Sequence, residues 1–235
     1  MNIGDGLGQF IEQGLISMGA SEVGFADLRP VRDNPNPEFK YAISIIIALD
    51  PAIVRDIAEK PTLAYRDEYV RVNNLLDSVA LKTVDLLHER GHNATCILST
   101  TRDYRPGKFL TASFSHKITA TLSGLGWIGK NDLLVTPAYG SAVRLSTVFT
   151  DAPVPAGQPV TVSRCGACED CVKSCPAAAP KGRLWQAGLE REEILDIRSC
   201  YLKAREVSSA LGIDEILCGF CMTACPWTRR YIMNS

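Results

Sequence analysis

Cys165-Gly-Ala-Cys168-Glu-Asp-Cys171-Val-Lys-Ser-Cys175-Pro176 decides how the last third of this chain folds. It reads C-x2-C-x2-C-x3-C-P without a departure. In that spacing three thiolates of one tight loop reach three irons of a single [4Fe–4S] cube, and the fourth, held by the following proline, turns to a second cube. Backbone N–H groups in so tight a loop can donate to the sulfurs and help offset their negative charge. A second run, Cys218-Gly-Phe-Cys221-Met-Thr-Ala-Cys225-Pro226, repeats the C-x2-C-x3-C-P core but lacks one nearby thiol. Cys200, in Ile197-Arg-Ser-Cys-Tyr-Leu-Lys-Ala, can supply it. The expected assignment is crossed: Cys165, Cys168, Cys171 and Cys225 on one cluster, Cys175, Cys200, Cys218 and Cys221 on the other. Crossed ligation would pin the two halves of the module together, so cluster loss is expected to unfold it.

Eight of the nine cysteines lie between Cys165 and Cys225, and Cys96 stands apart. A secreted disulfide scaffold would spread its cysteines through a small chain behind a signal peptide. The N-terminus here, MNIGDGLGQFIEQG, has neither a basic n-region nor a long apolar one, so a cytoplasmic location is the expectation. Two four-thiolate zinc sites are the alternative use of eight cysteines; the paired Cys-Pro endings favour iron–sulfur. Cys96 reads as a small buried hydrophobe. No apolar run reaches the roughly 18 residues of a membrane helix. The net charge of −1 shows no basic excess, so the expectation is no membrane and no nucleic-acid partner.

Upstream, 46% apolar content supports a sizeable core. Helical spacing runs over 3–18 and 64–90, the latter with a stripe through Tyr65, Tyr69, Val72, Leu75, Leu76, Val79, Val84 and Leu87, closed by Gly91. Strands are expected over 23–28, 41–49, 94–98, 132–136 and 142–150, and a shorter helix over 113–122. Alternating helices and strands argue for a layered α/β domain over residues 1–155. The proline-rich stretch 151–162 leads into the cysteine module, residues 156–235, with short helices expected over 190–197 and 201–211.

Before the cysteines lies Ser123-Gly-Leu-Gly-Trp-Ile-Gly-Lys-Asn131, then Leu133-Leu-Val-Thr136, Tyr139-Gly-Ser141, Arg144-Leu145 and Thr150-Asp-Ala-Pro153. With the eight-cysteine pattern, this resembles epoxyqueuosine reductase and its relatives, cobalamin-dependent iron–sulfur enzymes akin in their core to reductive dehalogenases. The resemblance spans roughly residues 20–230. It implies an α/β (α+β) cofactor-binding domain followed by a ferredoxin-like double-cluster module. It also implies an oxidoreductase that passes electrons through two clusters to a cobalamin and so reduces a small substrate, fed by a donor protein of ferredoxin or flavodoxin type. The alternative is an electron-transfer protein serving a partner such as a corrinoid protein. Relatives that act on tRNA continue into a helical-repeat domain, whereas this sequence ends ten residues after Cys225, so a short form is expected. The family's catalytic aspartate would fall near Leu110 or Thr111. No Asp or Glu occurs between Tyr104 and Lys130, and Ser115-His116-Lys117 stands there instead.

His116, with Lys117 beside it, is therefore the candidate proton donor, because an imidazole titrates near neutrality. The competing reading is a helix start capped by Ser113 or Ser115. Gly124, Gly126, Trp127, Gly129, Lys130 and Asn131 are the candidate cofactor contacts: the glycines permit a close approach to something as bulky as a corrin, or a turn packed on the cluster module. Gly124, Gly126 and Gly129 also fit G-x-G-x-x-G, but they follow a helical pattern and not a strand, so no dinucleotide site is expected. Tyr65 and Tyr69 share a helix face and read as core or, less simply, as phenolic donors. His88 and His92 flank a helix end and read as structural. Arg102, Arg105 and Lys108 crowd one loop that could meet an anion.

Overall fold

A computed structural model describes residues 3–32, 34–57, 60–100, 107–110 and 112–235, with residues 3–5 as backbone only. Arg102 and Arg105 lie outside the described residues. No helix among the described residues is long and apolar enough to cross a membrane.

The chain packs as two units, each gathered from separated stretches: Met1–Ala48, Val72–Leu125 and Arg144–Val160 in one, Leu49–Arg71, Gly126–Val143 and Thr161–Ser235 in the other. The division therefore does not fall at one point near residue 155. Residues 49–71 and 126–143, which alternation of helix and strand had joined to the first module, pack with the cysteines.

The first unit begins with α1 (Ile3–Ser17), β1 (Glu22–Asp27) and β2 (Tyr41–Ala48). β1 and β2 pair antiparallel, with Val23 opposite Ile45 and Phe25 opposite Ile43. Every residue of β2 from Ala42 to Ile47 is buried, as its unbroken β-branched run requires of a strand covered on both faces. Ile43, Ile45 and Ile46 are fully buried, each contributing roughly 2 kcal/mol. Next along the chain come α2 (Pro51–Arg55), of the second unit, α3 (Leu63–His88), whose residues from Val72 on belong to the first, and β3 (Ala94–Ile97) of the first. α4 (His116–Leu122) of the first unit follows, then the short β4 (Trp127–Ile128) and β5 (Leu134–Val135) of the second, and β6 (Val143–Thr150), which from Arg144 belongs to the first. The main sheet has the order β1-β2-β6-β3, with β3 antiparallel to β6. α4 packs on β1 and β2. Gly24 of β1 allows this, because a Cβ there would lie 2.7 Å from Ser123 Oγ and 2.8 Å from Leu125. Phe114 and Phe149 meet edge-on at 5.0 Å in a core with Ala26, Leu28, Phe39 and Ala42.

α3 ends as its sequence predicts: Gly91 has φ 78°, and the His92 N–H reaches back to the Leu87 carbonyl at 3.0 Å. His88 Nε2 lies 3.1 Å from the Ala94 carbonyl and His92 Nδ1 3.6 Å from Asp151, which are structural positions.

In the second unit, β4 and β5 form an antiparallel ribbon, with Trp127 opposite Val135. The ribbon is shorter than the 132–136 pattern suggested because Asp132 adopts φ 60° and turns the chain just before it. α5 (Asp170–Lys173), a 3-10 turn (Arg191–Glu193), α6 (Ile197–Ser209), α7 (Phe220–Thr223) and α8 (Pro226–Met233) follow. The helix expected over 190–197 is only that 3-10 turn. Asp196 starts a new helix instead, accepting from the Ser199 N–H at 3.0 Å and its hydroxyl at 2.7 Å. α8 packs on α2, with Tyr231 Oη donating to the Leu49 carbonyl at 2.9 Å and Arg55 to the Ile232 carbonyl at 3.0 Å. Tyr65 is buried in this unit beside Gly219, the core reading of that residue.

Candidate metal centre

The eight clustered cysteines all fall in the second unit. The C-x2-C-x2-C run closes on itself through the Cys168 N–H to the Cys165 carbonyl at 3.1 Å, and Gly166 takes φ 54° within it. Cys171 sits on α5, Cys200 on the first turn of α6, Cys221 on α7, and Cys225 caps α8, whose first residue is Pro226. A proline there costs no hydrogen bond, since the first N–H of a helix has no partner within it. Ser208 orders the approach to Cys218: its hydroxyl donates to the Leu217 carbonyl at 2.8 Å and accepts from the Leu217 N–H at 2.9 Å.

The thiols gather in two groups. Cys165, Cys168, Cys171 and Cys225 line one cavity together with Lys130, Asn131, Val135, Pro226 and Trp227. Burial pushes the Cys171 thiol up to about 12, and the nearby Cys165, Cys225 and Cys168 add to it. Burial likewise raises Cys200 to about 11, with Cys175 and Cys218 as its thiol neighbours. Cys221 lies well above the ordinary thiol range, chiefly from burial and then from Cys200 and Cys218. Cys171 also acts on Cys221, so the two groups adjoin. The crossed assignment would put one cluster on each group.

This donor set fits a pair of iron–sulfur cubes. Thiolates crowded around buried Cys171 and Cys225 would repel one another without a compensating cation, and a cube's irons supply it. Backbone N–H groups already point at sulfur: Ala179 to Cys175 Sγ at 3.4 Å, Phe220 to Cys218, and Thr228 and Trp227 to Cys225. At Cys218 and Cys225 these bonds favour the thiolate and oppose the effect of burial. Among the described residues, no three His, Cys, Asp or Glu side chains converge as one metal ion would need. A cube interposes its own iron and sulfide and needs no such convergence.

The glycine-rich segment is filled by the chain itself. A Cβ at Gly126 would lie 2.3 Å from the Val135 carbonyl oxygen, at Gly129 2.5 Å from Asn131 Oδ1, and at Gly124 2.7 Å from the Gln158 carbonyl oxygen. The space each glycine leaves is occupied by protein, so these three residues form no open cradle for a corrin. Trp127 is fully buried and meets Trp227 edge-on at 5.2 Å. Lys130 and Asn131, in contrast, open on the cavity of the first thiol group.

His116 and Lys117 lie in the first unit, at the start of α4. Ser115 caps that helix, accepting from the Lys117 N–H at 3.4 Å. His116 Nε2 lies 3.0 Å from the Leu98 carbonyl, which can only accept, so Nε2 carries the proton. Nδ1 is then bare and accepts from Thr147 Oγ1 at 2.9 Å. Burial holds the imidazole down to about 4. At neutral pH this ring is uncharged with both nitrogens engaged in the fold, which is not the arrangement of a free proton donor. Its depressed pKa makes the unit acid-sensitive. Between pH 6.5 and about 4 the unfolded chain binds a proton that the folded unit does not, so stability falls as pH drops through that window, by roughly 3 kcal/mol in all. His116→Gln, which keeps a donor and does not titrate, is expected to flatten this slope. Urea midpoints at pH 7 and pH 4.5 measure it, and equal slopes in both proteins would contradict the assignment.

Residues 164–228 match the family model described as a 4Fe-4S double cluster binding domain. Among curated proteins, the epoxyqueuosine reductase of Synechococcus sp. (strain RCC307) is 32% identical over 131 residues, covering 53% of this chain and 38% of that protein. Among solved structures, a reductive dehalogenase described with a mechanism for B12-dependent dehalogenation superposes with a TM-score of 0.75 at 18% identity, over 97% of this chain and 32% of that one. An epoxyqueuosine reductase solved with a tRNA-Tyr epoxyqueuosine-modified stem loop superposes with a TM-score of 0.64 at 18% identity, over 95% of this chain and 66% of that one. The chain thus spans well under half the length of the curated relative, and the structural likeness is one of fold.

Proposed function

From a chain that is similar to epoxyqueuosine reductases over half its length and carries a double [4Fe–4S] module, we propose an iron–sulfur reductase of the cobalamin-related kind, reducing a small substrate. The observation that carries this reading is the gathering of eight thiols into two adjoining groups of four. When bound, two cubes supply one-electron carriers in series, and a corrinoid would supply the low-potential metal at which a substrate is reduced. The protein's part is to surrender eight thiol protons, to hold the sulfurs with the N–H groups of Ala179, Phe220, Trp227 and Thr228, and to keep water from Cys171 and Cys225. The electrons would come from a ferredoxin or flavodoxin in the cytoplasm.

A second reading has one observation in its favour. Gly124, Gly126 and Gly129 are packed by their own chain, which suits an electron carrier whose corrinoid resides on a partner protein. Anaerobic reconstitution followed by cobalamin titration separates the two. About eight irons and eight labile sulfides per chain are expected in either case, as the double-cluster module requires. A change of the cobalt spectrum at micromolar cobalamin supports the reductase. Silence at high micromolar cobalamin leaves the carrier, and zinc without labile sulfide would sink both. A local basic patch can bind nucleic acid even at a net charge of −1. Filter binding to a modified tRNA stem loop, as in the solved relative, tests the small-molecule reading directly.

A further inference from the structure

We infer that Ser141 tunes the cluster that Cys225 would hold: its hydroxyl donates to the Cys225 sulfur and raises that cluster's reduction potential, with Asn131 as the positioning residue that aims the hydroxyl. This rests on the double-cluster reading and adds to it a determinant of potential outside the eight cysteines.

Three polar side chains are buried around Cys225: Asn131 is 4% exposed, Ser141 3% and Thr228 0%. Buried polar groups need partners, and here the partners converge on one sulfur. The Asn131 carboxamide has a single consistent orientation. Its Nδ2 lies 3.2 Å from the Cys221 carbonyl, which can only accept, and its Oδ1 accepts from the Leu133 N–H at 3.2 Å. Nδ2 therefore also donates to Ser141 Oγ, 3.3 Å away. A serine hydroxyl carries one proton. With Oγ accepting from Asn131, that proton is left for the Cys225 sulfur, and Ser141 hydrogen-bonds Cys225 in the sense that favours the thiolate.

The backbone fixes Ser141 in this place. Its N–H donates to Thr228 Oγ1 at 2.9 Å, and the Thr228 N–H in turn donates to Cys225. Gly140 permits the approach, since a Cβ there would collide with the Thr228 backbone nitrogen. Ser141 and Cys225 are thus both tied to one residue of α8. Both are buried, so water does not stand in for the hydroxyl, and the low dielectric strengthens the bond. Reducing a cube adds one negative charge, spread over its sulfurs. A donor to a ligating sulfur stabilises the reduced state more than the oxidised one, which raises the potential. The N–H groups of Trp227 and Thr228 act on Cys225 in the same direction from the backbone; Ser141 is the side chain among these donors, and so the one a substitution can remove.

Redox titration of the purified full chain, followed by EPR with iron and sulfide counted in each sample, tests this. Ser141→Ala is expected to lower one of the two midpoints, cutting the reduced-to-oxidised ratio of that cluster about tenfold at a fixed potential, which is about 59 mV for a one-electron couple. Its iron–thiolate stretching bands in resonance Raman should move to higher frequency. Ser141→Thr, which keeps the hydroxyl, should leave the midpoints and the bands in place. Asn131→Ala, which leaves the hydroxyl present but unaimed, should lower the same midpoint by less. With clusters retained, a Ser141→Ala protein whose midpoints do not move, or move together, overturns the inference and leaves the cluster reading standing. Loss of iron from Ser141→Ala and Ser141→Thr alike would make the residue a packing element and overturn it too. Should Ser141→Ala alone shed its clusters, Asn131→Ala decides, and an unmoved midpoint there overturns the inference. Wild-type protein without labile sulfide would instead defeat the cluster reading, and the inference with it.

Discussion

Stripping iron from the anaerobic holo-protein with a chelator is expected to unfold the cysteine unit and leave the sheet unit folded. The second unit is poor in structure that could stand alone. α5 and α7 have four residues each, far below the roughly 12–15 at which an isolated helix becomes even marginal. Between α5 and α6 the chain makes little more than turns and isolated bridges. What joins these pieces is the crossed set of thiols, and a metal-bound set contributes its binding free energy as folding free energy. The three tryptophans give a local readout, because Trp127, Trp185 and Trp227 all belong to this unit, and Trp127 and Trp185 are buried. Chelation should shift their emission to the red by exposing them to water, while much of the far-ultraviolet dichroism persists from β1, β2, β6 and α3. Cys171→Ser should give the same emission with half the iron or less. Unchanged tryptophan emission in protein shown to be iron-free would refute the idea that the clusters hold the unit.

Gly140→Val is expected to be the most damaging single substitution outside the cysteines. Gly140 holds φ 58°, and a Cβ there would lie 2.2 Å from the Thr228 backbone nitrogen and 2.6 Å from its Cα. Both are backbone atoms of α8, just past Cys225, so nothing can swing aside. The contact is reinforced by the Ser141 N–H, which donates to Thr228 Oγ1 at 2.9 Å. A β-branched residue would force α8 away from the ribbon segment and drag Cys225 out of the first thiol group. The cost should exceed about 3 kcal/mol, the range of severe single mutations, and appear as loss of iron. Gly91→Ala is the internal comparison. Its φ is 78°, but nothing lies within 4 Å of the added Cβ, so only the left-handed backbone penalty of about 1 kcal/mol remains. Chemical denaturation of both variants decides it. A Gly140→Val protein as stable and as iron-rich as Gly91→Ala would show that the ribbon and α8 can part without consequence.

The readings that carried over from the residues share one property: each depends on neighbours in sequence. The end of α3 follows from Gly91, the cap of α4 from Ser115, and the buried run of β2 from its isoleucines. The readings that changed depend on groups far apart along the chain. The strand pattern at 132–136 shrank because Asp132 turns the chain at φ 60°, and its carboxylate pairs with Arg191, 59 residues away. The glycine segment looked open enough for a corrin because no local pattern reveals that Val135 and Gln158 fill its gaps. The role of Asn131 was likewise hidden, since its partner Cys221 lies 90 residues on.

The sequence by itself pointed to the chemistry of this protein: two cysteine runs whose short spacings and Cys-Pro endings favour iron–sulfur clusters over zinc, because covalent reach decides which thiols can share a loop. Only the tertiary structure decided where the rest of the chain serves that chemistry. It placed residues 49–71 and 126–143 with the cysteines, occupied His116 with the Leu98 carbonyl and Thr147, and set Lys130 beside one thiol group and the Asp132–Arg191 pair beside the other. Burial, charge compensation and close packing are properties of atoms brought together from distant positions, and no local spacing encodes them.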